Sequence, residues 1–175
     1  YKLINKKRIK KNLIFAVLCF FFLIAKANAN CWTSDLSEED QLAMARKSYE
    51  DGVFSVSSET AKCYLEEFKT GKAREEMFFL RAESLRKGGD LKGSIKAYDD
   101  LKQNFPQSKS YLDNAILQQG ISFSLKGNFS EAISTLESLL KEYPNSKFRN
   151  ETKYWLGYSK SFKAELTRKK NKKKS

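Results

Sequence analysis

The 175-residue sequence contains no histidine. That removes the side chain most used as a general base near neutral pH and the commonest metal ligand. Cysteine is scarce: Cys19, Cys31 and Cys63 are all there is, and a pair as far apart as Cys31 and Cys63 makes no metal-ligand motif. Proline occurs twice, as Pro106 and Pro144, so the chain has few obligatory breaks. No apolar run reaches the roughly 20 residues that a membrane-spanning helix needs; the stretch from Leu13 to Ala25 stops at Lys26 after 13 residues. Nothing between 35 and 165 alternates with the period of a half-buried strand. Carboxylates are plentiful but adjacent, as in Glu38-Glu39-Asp40, Glu66-Glu67, Glu75-Glu76 and Asp99-Asp100. On a helix, neighbours point about 100° apart and do not converge on one substrate. Gly88-Gly89 ahead of Asp90 lacks the preceding strand and the spacing of a phosphate loop. These absences leave no catalytic residues to nominate, no cofactor and no metal site. A non-enzyme is expected.

Lys2, Lys6, Lys7, Arg8, Lys10 and Lys11 precede the apolar run, and Ala27-Asn28-Ala29 comes after it. A basic leader, a short apolar segment and a small-x-small exit form a secretory signal. Cleavage is expected after residue 29, so that the mature chain starts at Asn30 and Cys19 is lost. The alternative is lipid attachment at Cys31, although Asn30 and Asn28 stand where lipoprotein signals place a small residue and a leucine. Cys31 and Cys63 then remain in an exported chain, a setting that suggests one disulfide. The alternative is that both stay reduced, with Cys63 acting as a small buried hydrophobe.

The net charge of +12 looks like that of a nucleic-acid binder. Its location excludes that reading. Residues 1–29 hold seven basic and no acidic residues, and 163–175 hold seven basic and one acidic, which leaves nineteen basic and twenty acidic residues for 30–162. The body is nearly neutral, and nucleic acid is not an expected partner.

Positive features begin with a repeat. LRKGGDLKGSIKAYDDLKQNFPQSK (85–109) and FSLKGNFSEAISTLESLLKEYPNSK (123–147) align with a shift of 38 residues. Gly89 falls on Gly127, Ile95 on Ile133, Tyr98 on Leu136, Leu101 on Leu139, Phe105 on Tyr143 and Pro106 on Pro144. DGVFSVSSETAKCYLEEFK is a looser third copy. Each unit reads as two apolar helices joined by a glycine turn, with the second helix stopped near the proline. In the third unit Ser130-Glu131 is expected to start that helix. Ala45, Ala82, Gly120 and Gly157 recur in the first helices, which predicts close packing against the paired helix, since a helix glycine costs about 1 kcal/mol relative to alanine.

These residues resemble the tetratricopeptide repeat: a small residue in the first helix, a turn glycine, an aromatic or leucine two residues later, a small residue such as Ala132 in the second helix and a closing proline. The 38-residue spacing and the phrases EYPNSK and KYWLGYSKS look more like periplasmic repeats of Gram-negative envelopes, as in the β-barrel assembly lipoprotein and the Tol–Pal-associated coordinator. The resemblance implies an all-α solenoid of three helix pairs plus a C-terminal capping helix, occupying 37–167. Residues 30–36 are expected to be a linker, and 168–175 a basic disordered tail. It also implies a groove lined by first helices. That places Leu42, Arg46 and Tyr49, then Phe79, Glu83 and Arg86, then Leu117, Ile121 and Leu125 along the groove, a surface suited to an extended peptide or a partner helix. Phe79, Leu117 and Leu125 read equally well as core.

Tyr154, Trp155, Leu156, Tyr158 and Phe162 lie on more than one side of the last helix, where the array needs a polar cap. Part of this set is expected to be open to a partner or to self-association. The lysine-rich end suits anionic lipid head groups or peptidoglycan, and a solubilising tail is the plainer reading. The function expected is a non-catalytic adaptor of the cell envelope, serving outer-membrane assembly or Tol–Pal-type machinery. The alternatives are a lipid-anchored assembly subunit and an accessory activator of an envelope hydrolase.

Overall fold

A computed structural model describes residues 31–173, so the expected signal segment and its cleavage point lie outside the described residues. Seven helices follow one another: α1 (Glu38–Glu50), α2 (Phe54–Glu67), α3 (Arg74–Lys87), α4 (Leu91–Asn104), α5 (Leu112–Leu125), α6 (Phe129–Glu142) and α7 (Arg149–Lys172). No strand occurs among the described residues. The helices form the three expected pairs, α1/α2, α3/α4 and α5/α6, and α7 closes the array.

The turns inside the pairs are alike. Gly52, Gly89 and Gly127 have φ of 76°, 88° and 83°, a left-handed conformation in which any other residue carries a steric penalty. Asp90 then caps α4 by accepting from Gly93 N at 2.8 Å, and Ser37 caps α1 by accepting from Asp40 N at 3.1 Å. Helix α6 differs from expectation. It starts at Phe129 behind Asn128 with no side-chain cap, and Ser130-Glu131 sits in its first turn, where the acid complements the helix dipole.

Pairing depends on close approach. Ala45 and Ala82 are wholly buried, and a Cβ at Gly120 would lie 2.5 Å from Leu136 Cδ2 of the paired helix. Gly157 breaks this pattern, because a Cβ there would meet nothing within 4 Å. The close-packing reading holds at Gly120 and fails at Gly157, where no second helix packs among the described residues.

Successive pairs are joined by buried hydroxyls. Ser84 Oγ of α3 donates to Ser57 Oγ of α2 at 2.8 Å, and Ser94 Oγ of α4 donates to Ser122 Oγ of α5 at 3.2 Å. At the third junction Ala132 replaces the second-helix serine, and Ser159 of α7 bonds Ser124 of α5 at 2.6 Å instead. The apolar core falls into two clusters, one around Tyr64, Met77, Tyr98 and Leu101 and one around Leu117, Leu136 and Leu139 with Trp155 and Leu156 laid over it.

Each first helix touches the first helix of the next pair, whereas no second helix touches another. First helices therefore crowd together on the inner side of a curved array. Residues 31–36, expected as a linker, fold against α1 and α2: Thr33 is buried and its carbonyl accepts from Gln41 Nε2 at 2.9 Å. At the other end the expected disordered tail is corrected, because α7 continues through Lys172. Lysine and arginine are good helix formers, positive charge suits a helix C-terminus, and Glu165 ties Lys169 at 2.7 Å one turn on.

Gly120→Leu should destabilise the protein by about 1–3 kcal/mol through overpacking against Leu136. Thermal melting followed by circular dichroism checks this, and an unchanged midpoint contradicts the packing account.

Candidate partner-binding surface

The inner face between α1 and α3 brings together six of the residues expected in a groove, Leu42, Arg46, Tyr49, Phe79, Glu83 and Arg86. Arg46 of α1 forms a two-pronged ion pair with Glu76 of α3, Nε to Oε1 at 2.5 Å and Nη2 to Oε2 at 2.6 Å. Two helical turns along α3 from Glu76, Glu83 accepts from Arg86 Nη2 at 3.0 Å and from Tyr49 Oη at 3.4 Å. Tyr98 of α4 donates to the same carboxylate from behind. Both carboxylate oxygens are engaged, as a buried acid requires. Lys87 Nζ lies over the rings of Tyr49 and Phe54, 5.0 and 5.9 Å from their centroids, and Phe79 packs on Tyr111 at 5.0 Å. The floor of the groove is thus a rigid aromatic and ionic lattice. Arg46 is exposed on it, and Leu42, Tyr49, Phe79 and Arg86 are half-buried.

Three expected groove residues are not available. Leu117 and Ile121 of α5 belong to the core, at 0% and 4% exposure, because α7 stacks over α5 and adds Trp155 and Leu156 to that cluster. Glu83 is buried as well and positions its neighbours. Leu125 does stay open. Sequence reasoning missed Glu76 and Tyr111. Glu76 lies three residues before Phe79 on the same helix face, and that spacing, with a basic residue in the preceding first helix, was the available signal.

On α7, Tyr154 is 67% exposed, Tyr158 is half-buried and Trp155 covers the second core cluster. Phe129, Tyr158 and Phe162 form a ring stack with Phe129 to Phe162 at 5.6 Å and Tyr158 to Phe162 at 4.5 Å. Part of the aromatic set is therefore open and part is core. At the N-terminal end the Cys31 and Cys63 side chains, the pair expected to bridge, are buried beside one another, and Cys31 Sγ donates to Glu66 Oε2 at 3.3 Å. Burial, then the neighbouring Cys63 thiol and Glu66 carboxylate, pushes the Cys31 thiol far up. Among the described residues no group of His, Cys, Asp or Glu is placed to hold a metal ion, and no helix is long and apolar enough to cross a membrane.

Residues 76–108 and 114–146 each match the family model of the tetratricopeptide repeat. These two units are similar to tetratricopeptide repeats. The two matched segments are the α3/α4 and α5/α6 units, so α1/α2 is the divergent copy, as its looser sequence alignment indicates. A search of curated proteins finds no match. Among solved structures the array is similar to the TPR2B domain of yeast Sti1, whose structure is that of a complex with pHsp70. The superposition has a TM-score of 0.58 at 12% identity and covers 71% of this chain and 96% of that one. At that identity the likeness establishes the tetratricopeptide-repeat fold and nothing finer.

Two phenols buried against carboxylates give the array an alkaline limit. Burial and then the Glu83 charge push the Tyr98 hydroxyl well above the usual tyrosine range. Burial and then the hydrogen bond to Glu38 push Tyr64 up to about 12. Both are held protonated in the fold, so their contribution is complete below the free tyrosine value of about 10 and is lost as pH rises above it. Denaturant midpoints should be flat up to about pH 10 and fall from there towards about pH 12. Tyr98→Phe should make that fall shallower while costing about 1–2 kcal/mol near neutral pH through the lost donor. A midpoint indifferent to pH above that limit contradicts the assignment.

Proposed function

We propose that this protein is a non-catalytic adaptor that holds a protein or peptide segment along the inner face of its first helices. The observation that carries the reading is the ordering of that face: Arg46, Tyr49, Phe79 and Arg86 are fixed by ion pairs and ring contacts with part of each side chain still reachable. A preformed surface of this kind lowers the ordering cost of binding, and an extended segment or a helix suits its shape. The yeast Sti1 domain of similar fold forms a complex with pHsp70. Only the class of ligand, a protein, is carried over from it.

The working place in this reading is the periplasm, with outer-membrane assembly or Tol–Pal-type machinery as the setting. It is supported by the basic leader, the short apolar run and the Ala27-Asn28-Ala29 exit. Release is favoured over lipid anchoring because the Cys31 thiol is buried beside Glu66 and Cys63, where an acyl-bearing thioether has no room unless residues 31–36 swing away.

Two measurements test this. A photo-crosslinking residue at position 42 or 46 on the inner face should trap a discrete protein adduct in intact cells, and one at the exposed outer position 96 should not; equal trapping from both faces overturns the groove assignment. Envelope fractionation with intact-mass analysis should recover a soluble chain beginning at Asn30. Recovery of an acylated chain beginning at Cys31 would replace the soluble adaptor by the anchored subunit.

A further inference from the structure

The final helix has a face that is covered in every other repeat and bare in this one. Ala45, Ala82, Gly120 and Gly157 occupy one position in the four first helices. The first three are buried, and Gly120 is held close by Leu136 of the following second helix. Gly157 is exposed with open space around its Cα. Further along the same face lies an open cleft of about 840 Å³, bordered by Ile133 of α6 and by Lys160, Lys163, Ala164, Thr167 and Arg168 of α7. Its two small or apolar floor residues are ringed by cationic heads, and the aliphatic stems of those lysines add apolar wall. From 160 to 173 the chain carries seven basic residues and one acidic. Lys160 is paired with Glu137 and Lys169 with Glu165, and the run as a whole keeps a large excess of positive charge.

We propose that this slot receives an amphipathic, acidic helix from a partner protein, which docks on α7 as each second helix packs on its first helix in the other repeats. Charge selects the occupant. A second copy offering its own α7 face would bring like charges together, and the chain's basic leader carries the wrong sign, whereas glutamates flanking an apolar ridge would meet Lys163 and Arg168. Shape selects the register: a leucine on Gly157 would reproduce the contact of Leu136 with Gly120, with further apolar residues following into the cleft beside Ala164 and Ile133. The site lies at the end of the array and is separate from the inner groove. One molecule could therefore join two proteins.

The probe is a fluorescently labelled, end-capped peptide of residues 128–143, NFSEAISTLESLLKEY, which contains Leu136 and has three acidic residues against one basic. Fluorescence anisotropy with the purified full chain should show saturable binding that weakens as salt is raised. Gly157→Leu should reduce affinity at least tenfold while leaving the melting temperature unchanged or higher, since leucine is the better helix former. Lys163→Glu combined with Arg168→Glu should weaken binding comparably, and a peptide with its three glutamates changed to lysine should not bind. Absence of saturable binding up to millimolar peptide overturns the proposal. So does undiminished binding to the Gly157→Leu protein, or a lowered melting temperature for that protein, which would show the position to be packed. Sedimentation equilibrium that reveals concentration-dependent dimers abolished by Gly157→Leu would assign the slot to a second copy and overturn the partner-helix reading.

Discussion

The distance at which the two helices of a pair can approach governs this structure. A side chain larger than a methyl group at Ala45 or Ala82, or any at all at Gly120, would separate the helices or force the facing residue to move. Interiors are packed too densely to absorb such a change locally. Once the pairs close, Leu136, Leu139, Tyr98 and Leu101 reach their buried positions, and the outward residues of the first helices arrive at a common inner face. The glycine turns at 52, 89 and 127 matter for the same reason, since they set where the second helix begins its return.

Stacking of the pairs uses a different device. Hydroxyls recur at Ser84, Ser122 and Ser159, and the first two meet Ser57 and Ser94 from the preceding second helix. Small polar contacts of this kind let helices sit close while specifying one register, because a slip would leave buried hydroxyls without partners. Ala132 interrupts the series, and Ser159 turns to Ser124. At the last junction the hydroxyl bond is thus made between first helices, while α6 and α7 are joined by the Phe129–Phe162 ring contact and the Lys160–Glu137 ion pair.

The helix pairs were legible because a glycine, a proline and the apolar positions recur together at one spacing, and no single-helix reading explains all three. The serine series was equally periodic and could have been read from the same repeat. Groove and core were not separable in the same way. Leu117 and Tyr154 hold equivalent places in successive first helices, yet one is fully buried and the other exposed, because only the first of them has a later helix lying over it. Periodicity specifies which face a residue shares. What covers that face is decided by the neighbour, and among the described residues α7 has none on one side. The lysine-rich end misled for a related reason: its composition argues for a solvated segment, but a helix already propagating through Phe162 can extend over good helix formers at little cost.

The second helices never touch one another, so the outer side of the array is an unlaced seam. Flexing the solenoid changes distances along that seam without breaking any contact within it, while the inner side is tied by Arg46 to Glu76 and by Tyr49 to Glu83. Mechanically this is a leaf spring clamped along one edge. Its curvature is set on the inner side, where the first helices meet one another.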